Sequence, residues 1–224
     1  MNIIQDFITS TNTNRPGTSL TVGYVTIHET ANTNVGANAE MHARYVKGDD
    51  AQNRQVSWHY TVDDSETYQH LPTDEVGWHA GSTGNHQSIG IEICVNQDGN
   101  FIAARANAIK LVQLLMQQHD ISLSHVVTHQ HWTGKNCPAN LLADWEGFIA
   151  DVGSSTNESI GTVRVLATAL WVYNRADWDA RYETVSRDEV FTVVRELTVN
   201  GSRMYQLRSG LYITANPEFV QFQS

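Results

Sequence analysis

The sequence predicts an α/β domain, with a mixed central sheet flanked by helices, followed by a small all-β domain. In residues 1–152, segments with strand patterns alternate with segments of helical periodicity, which is typical of an α/β sheet domain. From residue 162 to residue 224, short apolar runs separated by turn residues favour an all-β fold. Residues 153–161 are small and polar, as expected of a linker between two domains.

Four strands are predicted in the first domain, because four short runs are apolar or β-branched and are bounded by polar residues. These runs are Tyr24–Ile27, Val56–Val62, Ile89–Val95 and Ser124–Thr128. Side chains alternate between the two faces of a strand. Tyr24, Thr26 and His28 therefore share one face, and His28 points away from the buried face of its strand.

Three helices are predicted between and after these strands: Ala37–Lys47, Ile102–His119 and Pro138–Ile149. The first should end at Gly48, since glycine commonly follows the last turn of a helix. The second carries an apolar stripe at helical spacing that includes Ile109, Val112 and Leu115. Pro138 suits the first position of the third helix, where its missing N–H costs no hydrogen bond.

The second domain is expected to be a small barrel, because short apolar runs recur with tight turns between them. Ser209-Gly210 and Asn216-Pro217 are typical turn pairs. The predicted strands are Val163–Leu166, Ala169–Tyr173, Val190–Arg195, Met204–Leu207, Leu211–Thr214 and Phe219–Phe222.

Composition excludes several classes of function. The formal net charge of −10 at pH 7 disfavours nucleic acid as a partner. No apolar run approaches the roughly 20 residues that a membrane helix needs, so membrane insertion is not expected. The first residues lack the basic and apolar segments of a signal peptide. With only two cysteines, the chain is expected to be reduced and made in the cytoplasm.

His129 and Cys137 frame a loop whose donor atoms suit a soft divalent metal such as zinc. A third ligand must come from elsewhere in the chain, and His28 offers it after the first predicted strand. Two imidazoles and one thiolate leave zinc an open position for water, which is the arrangement of a catalytic site. The sequence therefore predicts Zn²⁺ bound by these three residues in a hydrolase that activates water.

Two alternatives concern the same segment. His131 could replace His129 as the ligand, because residues two apart on an extended chain point the same way. We prefer His129 because it closes the apolar strand. A thiol peptidase could instead use Cys137 as its nucleophile, since reactive cysteines often lie near helix N-termini and Pro138 is expected to begin a helix. That alternative leaves His28 without a role.

Glu92 and Lys135 are candidate catalytic residues. Glu92 lies within the apolar strand Ile89–Val95, and a carboxylate there needs a partner because burying it unpaired is costly. We expect it to take a proton from the attacking water, the alternative being a salt-bridged structural glutamate. Lys135 is two residues from Cys137 and could stabilise an oxyanion. The alternative is an ordinary solvated lysine.

A glycine-rich segment, residues 77–85, contains candidate substrate-binding residues: Trp78, His79 and Gly81. The segment lacks the Gly-Lys-Ser/Thr signature of a phosphate-binding loop, so it is not expected to bind a nucleotide. A loop that lines a substrate pocket is the better interpretation.

Five motifs occur in an order that resembles the zinc-dependent N-acetylmuramoyl-L-alanine amidases, the type-2 amidases related to peptidoglycan recognition proteins. The resemblance covers residues 20–150. The motifs are Thr26-Ile27-His28-Glu29-Thr30, Ser57-Trp58-His59-Tyr60, Gly77-Trp78-His79-Ala80-Gly81, Ile89-Gly90-Ile91-Glu92, and Thr128-His129 followed by Thr133-Gly134-Lys135-Asn136-Cys137-Pro138. In the second domain, residues 205–217 are similar to part of a bacterial SH3-like wall-binding module.

The resemblance implies an enzyme that cleaves the amide between N-acetylmuramic acid and L-alanine in bacterial peptidoglycan. It implies zinc on His28, His129 and Cys137, with Glu92 and Lys135 as catalytic partners. Glu29 is more acidic than the family pattern at its position and is assigned no role. An amidase with a wall-binding tail and no signal peptide resembles a phage or prophage endolysin, which is made in the host cytoplasm and acts on the wall after release.

Two further functions compete with this one. A recognition module would bind peptidoglycan without cutting it, and loss of a zinc ligand, typically the cysteine, would mark such a protein. Cys137 is present. A cytoplasmic amidase that recycles wall fragments would need no wall-binding tail, so residues 162–224 count against it.

Overall fold

The computed structural model describes residues 2–155 and 159–224 of the chain. The chain divides into two compact units, Met1–Val152 and Gly153–Ser224. Each unit has its own sheet and its own hydrophobic core. Within the described residues, no helix has the length and apolar character needed to cross a membrane.

The first unit is built on a mixed sheet, as the sequence predicts, but the sheet has six strands where the sequence predicts four. Its strands, β1 to β6 along the chain, are Ile4–Gln5, Tyr24–Glu29, Tyr60–Val62, Thr67–Gln69, Ser88–Ile93 and Val126–Thr128. In space they are ordered β1-β4-β3-β5-β2-β6. All neighbouring pairs are parallel except β3 and β4, which are antiparallel.

Six helices accompany this sheet in the described part of the first unit, and α6 ends just beyond it. In chain order, α1 to α6 are Ala39–Lys47, Asp49–Asn53, Gly81–Asn85, Phe101–His119, His129–Thr133 and Trp145–Ser155. The long helix α4 begins where the Asn100 side chain accepts a hydrogen bond from the Ala103 N–H, and it ends at Asp120 in a left-handed conformation. Its apolar face packs with the isoleucines of β5 in the main core.

Two predicted strands begin later in the structure than the sequence suggests. The expected strand Val56–Val62 is reduced to β3, because the preceding backbone bonds to a loop: the Ser57 N–H donates to the Trp78 carbonyl. The expected strand 124–128 is reduced to β6, because Leu123–His125 form a 3₁₀ turn. The sequence patterns located these strands and misplaced their first residues.

The predicted helix Pro138–Ile149 is wrong in its first half. A 3₁₀ turn occupies Leu141–Asp144, and α6 begins only at Trp145. The cause is a partner distant in sequence. The Glu29 carboxylate accepts hydrogen bonds from the backbone N–H groups of Asn140 and Leu141, which fixes an irregular turn after Pro138.

The second unit is an antiparallel sheet of seven strands. Its strands, β7 to β13, are Gly161–Val165, Ala169–Tyr173, Arg181–Ser186, Val190–Val199, Ser202–Leu207, Tyr212–Thr214 and Val220–Gln223. They are ordered β13-β7-β10-β11-β12-β8-β9. In the described structure β13 pairs with β7 and β9 with β8, and β13 and β9 do not pair with each other. The sheet therefore does not close into the predicted barrel by hydrogen bonding.

Strand β9 was absent from the prediction. Only one of its residues, Val185, is buried, so its sequence lacks the alternation of apolar and polar side chains that marks a half-buried strand. The core of this unit instead comes from strands with clear apolar positions, such as Val163, Val193 and Ile213.

The predicted linker, residues 153–161, coincides only partly with irregular structure. Its first residues continue α6 as far as Ser155, and its last residue, Gly161, begins β7. Helix α6 continues because Phe148 and Val152 anchor it in the core of the first unit. Residues 156–158 lie outside the described residues.

Candidate metal centre

Three side chains that could hold a metal ion meet at the carboxyl ends of β2 and β6. His28, His129 and Cys137 are buried, and one potential ligand atom from each lies within 4.8 Å of the others. The Cys137 Sγ is 3.8 Å from the His28 Nδ1. The structure therefore brings together the three residues that the sequence singles out, from positions about a hundred residues apart.

The parallel register of the sheet produces this meeting. Strand β2 extends past its predicted end, so His28 lies within it and is paired directly with Glu92 of β5. On the other side, Ile27 pairs with Thr128, the last residue of β6. His129 follows at once as the first residue of α5. Side chains at the ends of adjacent parallel strands therefore face the same space.

The loop that carries Cys137 is held by hydrogen bonds from two directions. The Gln130 N–H donates to the Cys137 carbonyl at 3.0 Å, which ties the cysteine back to α5. The Glu29 carboxylate, which is buried, accepts from the Asn140 and Leu141 N–H groups at 2.9 and 3.0 Å. Glu29 thus anchors the segment that follows the cysteine, which gives this residue a structural role.

His79 fixes which nitrogen of His28 is free. The His79 Nε2 lies 3.3 Å from the Ser88 carbonyl, which can only accept, so Nε2 carries the proton. The Nδ1 of a neutral His79 must then accept, and it lies 2.9 Å from the His28 Nε2. His28 therefore donates from Nε2 and keeps an unprotonated Nδ1, the atom that faces Cys137. A metal ligand needs such a lone pair.

Two features place the His79 ring beneath His28. The Asn85 side chain accepts from the N–H groups of His79 and Ala80 at 2.8 and 2.7 Å, which fixes the backbone before α3. The ring itself lies against Gly90 of β5. A Cβ on Gly90 would meet three atoms of the ring at 2.7–2.8 Å, so only glycine leaves it room.

Burial shapes the protonation of the three ligand candidates. Burial lowers the pKa of His28 well below its ordinary value, and the nearby His79 and His129 lower it further. Burial and then the charge of Lys135 lower the pKa of His129. Both imidazoles are therefore neutral at neutral pH, as metal ligands must be. Burial raises the pKa of the Cys137 thiol to about 11.

Glu92 lies beside this group, and one oxygen of its carboxyl group lacks a hydrogen-bond partner in the described structure. Its Oε1 is 3.9 Å from the His28 Nδ1, and 16% of its side chain is exposed. Its Oε2 is buried and has no hydrogen-bond partner in the described structure. Burial raises the pKa of Glu92 to about 8, against the opposing charge of Lys135. A carboxyl group with a pKa in this range can exchange a proton near neutral pH.

A cavity of about 370 Å³ opens onto the metal-ligand group. Trp78, His79, Glu92 and Lys135 contribute to its wall. Gly81, the third predicted substrate-binding residue, is not among the residues that line it. The positive φ of +73° at Gly81, at the start of α3, explains the glycine there.

The donor set fits zinc. Two neutral imidazoles and a thiol converge, and the His129 Nδ1 is buried without a hydrogen-bond partner in the described structure. An unpaired buried nitrogen is costly unless something binds it. Three protein ligands of this type leave one coordination position open, as in catalytic zinc sites. His131 lies outside the group; it is exposed and its ring stacks beside Tyr24.

The sequence did not reveal two of these functions. His79 is predicted to bind substrate, and it does line the cavity; the sequence did not predict that its half-buried ring also packs against Gly90 and bonds to His28. Glu29 had no expected function. The only signal in the sequence was the unusual identity of each residue, a histidine in a glycine-rich segment and a carboxylate in an apolar strand. Neither residue type predicts which distant residue the side chain contacts in the fold.

Several known proteins resemble this chain in sequence. The sequence pattern of the N-acetylmuramoyl-L-alanine amidase family matches residues 18–140. The chain is 53% identical over 162 residues to the N-acetylmuramoyl-L-alanine amidase XlyA of Bacillus subtilis, covering 71% of this chain and 54% of that protein. It is 63% identical over 51 residues to the endolysin of Bacillus phage SPP1, covering 23% of this chain and 19% of that protein.

A solved structure extends the similarity to the fold. The catalytic domain of XlyA is 54% identical to this chain and superposes with a TM-score of 0.65. The match covers 68% of this chain and 99% of that structure. The chain spans about half the length of the full XlyA protein.

Proposed function

The chain belongs to the N-acetylmuramoyl-L-alanine amidase family, and we propose that it hydrolyses the amide between N-acetylmuramic acid and L-alanine in bacterial peptidoglycan. The observation that carries the proposal is the buried group of His28, His129 and Cys137, with Glu92 beside it, at the wall of an open cavity. The name of the Bacillus subtilis relative supports the choice of bond.

In this proposal, Zn²⁺ is the metal and His28, His129 and Cys137 hold it. Zinc in such a site supplies a Lewis acid and a water molecule of lowered pKa. His79 keeps the His28 Nδ1 unprotonated through the bond between the two rings. Loss of one of these residues would favour a recognition module that does not cut, and all three residues are present in this sequence.

Glu92 and Lys135 carry the proton and charge chemistry in this proposal. The unpartnered Oε2 of Glu92 accepts the proton of the attacking water and later passes it to the amine of L-alanine as that amine leaves. The exposed ammonium group of Lys135, at the cavity wall, stabilises the carbonyl oxygen as it gains negative charge. Trp78 is proposed to contact the substrate from the same wall, and Gly81 to shape the loop behind it.

We further propose that residues 1–152 form the catalytic domain, that 153–161 link the domains, and that 162–224 form an SH3-like domain that binds the cell wall. The seven antiparallel strands and the similarity of residues 205–217 to such modules support this assignment. With the SPP1 endolysin among the relatives, the whole protein is proposed to act on the wall as a phage or prophage endolysin. No nucleic acid partner or membrane insertion is part of this function.

Two measurements test the proposal together. Mass spectrometry of digested walls should show free L-alanine amino termini and intact glycan strands. A chelator should abolish this cleavage, and added Zn²⁺ should restore it. Cut glycosidic bonds or cut peptide bonds would refute the proposed bond. Full cleavage by protein free of metal would refute the proposed role of zinc and leave the choice of bond standing.

A further inference from the structure

The cavity continues beyond the metal-ligand group to a second wall that the proposed mechanism does not use. Met41 and Tyr45 of α1, and Arg54, Val56 and Trp58 from the segment between α2 and β3, form this distal wall. At about 370 Å³, the whole cavity is in the size range of sites that enclose small ligands, and it exceeds what an acyl carbon and a water need.

Side-chain contacts hold Trp58 and Tyr45 of the distal wall in place. The buried indole of Trp58 donates from Nε1 to the Thr61 Oγ1 at 2.7 Å. Its ring stacks on Tyr45 with 6.3 Å between centroids and 21° between planes. A wall built in this way can present a charged group at a defined place.

The backbone of Arg54 is equally fixed. Its N–H donates to the Asp50 carbonyl at the end of α2, and the next turn is closed by the Val56 N–H donating to the Ala51 carbonyl. The buried Asn14 side chain donates to both the Val46 and Val56 carbonyls at 2.8 Å, which ties this segment to α1. Arg54 therefore projects from an anchored turn.

The guanidinium group of Arg54 has hydrogen-bond donors without a partner among the described residues. Its NH1 lies 3.3 Å from the Tyr45 hydroxyl and 3.7 Å from the Asp50 carboxylate. Its Nε and NH2 have no partner among the described residues. The pair with Asp50 is 65% and 66% exposed, and exposed pairs of this kind bind weakly. A planar fork of two N–H donors matches the two oxygens of a carboxylate.

Arg54 and Lys135 are the only lysine or arginine side chains among the residues that line the cavity. Of the two carboxylates in the lining, Glu29 is already bonded to backbone N–H groups, and Glu92 lies against His28. The distal wall therefore carries a positive charge without a buried counter-charge.

We propose that Arg54 binds a free carboxylate of the peptide attached to L-alanine. This inference rests on the proposed function. In a muramoyl peptide the carboxyl group of the sugar is consumed in the scissile amide, so the remaining carboxylates all belong to the peptide. Lys135 serves the reacting carbonyl, and Arg54 holds the peptide beyond it. Arg54 then sets the preference of the enzyme for acidic over amidated peptides.

The test uses soluble muramoyl tripeptides with free carboxylates on the second and third residues, and versions with one or the other converted to an amide. For the wild-type protein, one of the two amidations should raise KM by about 10- to 100-fold and change kcat little, because a charge-assisted pair is lost. Arg54→Gln should raise KM for the acidic peptide to the value that the wild-type protein shows for the sensitive amidated peptide. The difference in KM between these two peptides should then disappear. Arg54→Lys should keep part of the difference, since charge remains and the fork is lost.

Arg44→Gln is the matched control. Arg44 is also an exposed arginine paired four residues away, with Glu40, and it does not line the cavity. This variant should behave like the wild type. If neither amidation changes KM for the wild-type protein, or if Arg54→Gln keeps the wild-type preference, the inference is wrong. If the wild-type protein cuts none of these peptides at the lactoyl amide, the proposed function fails instead.

Discussion

Replacing Gly90 with alanine tests whether the His79 ring orients the His28 ligand without touching any ligand residue. The added Cβ would lie 2.7 Å from the His79 Nδ1 and 2.8 Å from two further ring atoms. Favourable contacts of this kind need about 3.5–4.0 Å, so the ring must retreat by about 1 Å. The nearest ring atom is the one that accepts the proton of His28 at 2.9 Å. A retreat of this size takes that bond beyond hydrogen-bonding distance.

Two effects should follow from the lost bond. Partners of metal-ligating histidines commonly contribute about 10–100-fold to metal affinity, so zinc affinity should fall by that factor. Overpacking of the strand should lower the free energy of unfolding by about 1–3 kcal/mol. Zinc affinity is measured by competition with a chromophoric chelator, and stability by urea unfolding of the metal-free protein.

Two control variants distinguish a change in the orientation of His28 from general damage to the sheet. Gly23→Ala is the matched glycine variant, because a Cβ there would meet its nearest atom, the Gln87 carbonyl oxygen, at an ordinary 3.8 Å. It should leave zinc affinity unchanged. The double variant Gly90→Ala with His79→Ala removes the clash, so stability should recover while zinc affinity stays low. A folded Gly90→Ala protein that binds zinc as tightly as the wild type would refute the role of His79.

Three further predictions concern catalysis, pH and domain organisation. Glu92→Gln removes the proposed proton acceptor and Lys135→Ala the proposed oxyanion partner. Each variant should bind zinc at normal stoichiometry and lose at least about a hundredfold in kcat. Near-normal turnover of either variant with zinc bound would contradict the role of the residue replaced. Burial lowers the pKa of His59 to about 4 and of His70 to about 3. These folded-state values lie below the unfolded value of 6.5, so the neutral rings stabilise the fold above pH 6.5, and that stability is lost as the pH falls toward 4. The free energy of unfolding should decrease by up to about 1.4 kcal/mol per pH unit for each ring, measured by urea unfolding at pH 7 and pH 5, and His70→Gln should reduce the slope. A fragment of residues 1–155 should fold and cut muramoyl peptides, because α6 completes the core of the first unit. A second fragment, residues 159–224, should bind purified walls in a pull-down. A first fragment that does not fold, or a second fragment that does not bind walls, would contradict the proposed division.

The sequence was most informative where one local pattern determines the structure. Helix α4 was predicted to within one residue of its start, because its apolar stripe lies within the segment itself. The strand β5 was also found, since alternating isoleucines require a buried face. His28, His129 and Cys137 could be proposed as ligands because imidazole and thiol groups at strand ends are uncommon and chemically specific.

The sequence was least informative where a distant polar group decides the local structure. Pro138 is a good first residue for a helix, and nothing near it in the sequence argues otherwise. The carboxylate of Glu29, more than a hundred residues earlier, binds the N–H groups that follow and holds an irregular turn. The function of His79 was hidden for the same reason, because Gly90 and His28 approach it only in the folded sheet.

A buried chain of hydrogen bonds explains how the sheet keeps the register on which the site depends. The Trp132 Nε1 donates to the Thr26 Oγ1 at 2.8 Å, and Thr26 donates to the Ser88 Oγ at 2.7 Å. Ser88 in turn donates to the Gly84 carbonyl at 2.7 Å. This chain joins α5, β2, β5 and α3.

A shift of β2 against β5 by one residue would break this chain of hydrogen bonds. The same shift would turn Ile27 toward the cavity and His28 toward the core, because side chains alternate along a strand. Three polar bonds in the chain therefore hold the pairing of His28 with Glu92. They also fix α5, which begins with His129, and α3, which follows His79. The candidate metal ligands, Glu92 and His79 are thus positioned by one shared set of hydrogen bonds, so a variant such as Thr26→Val should disturb all three together.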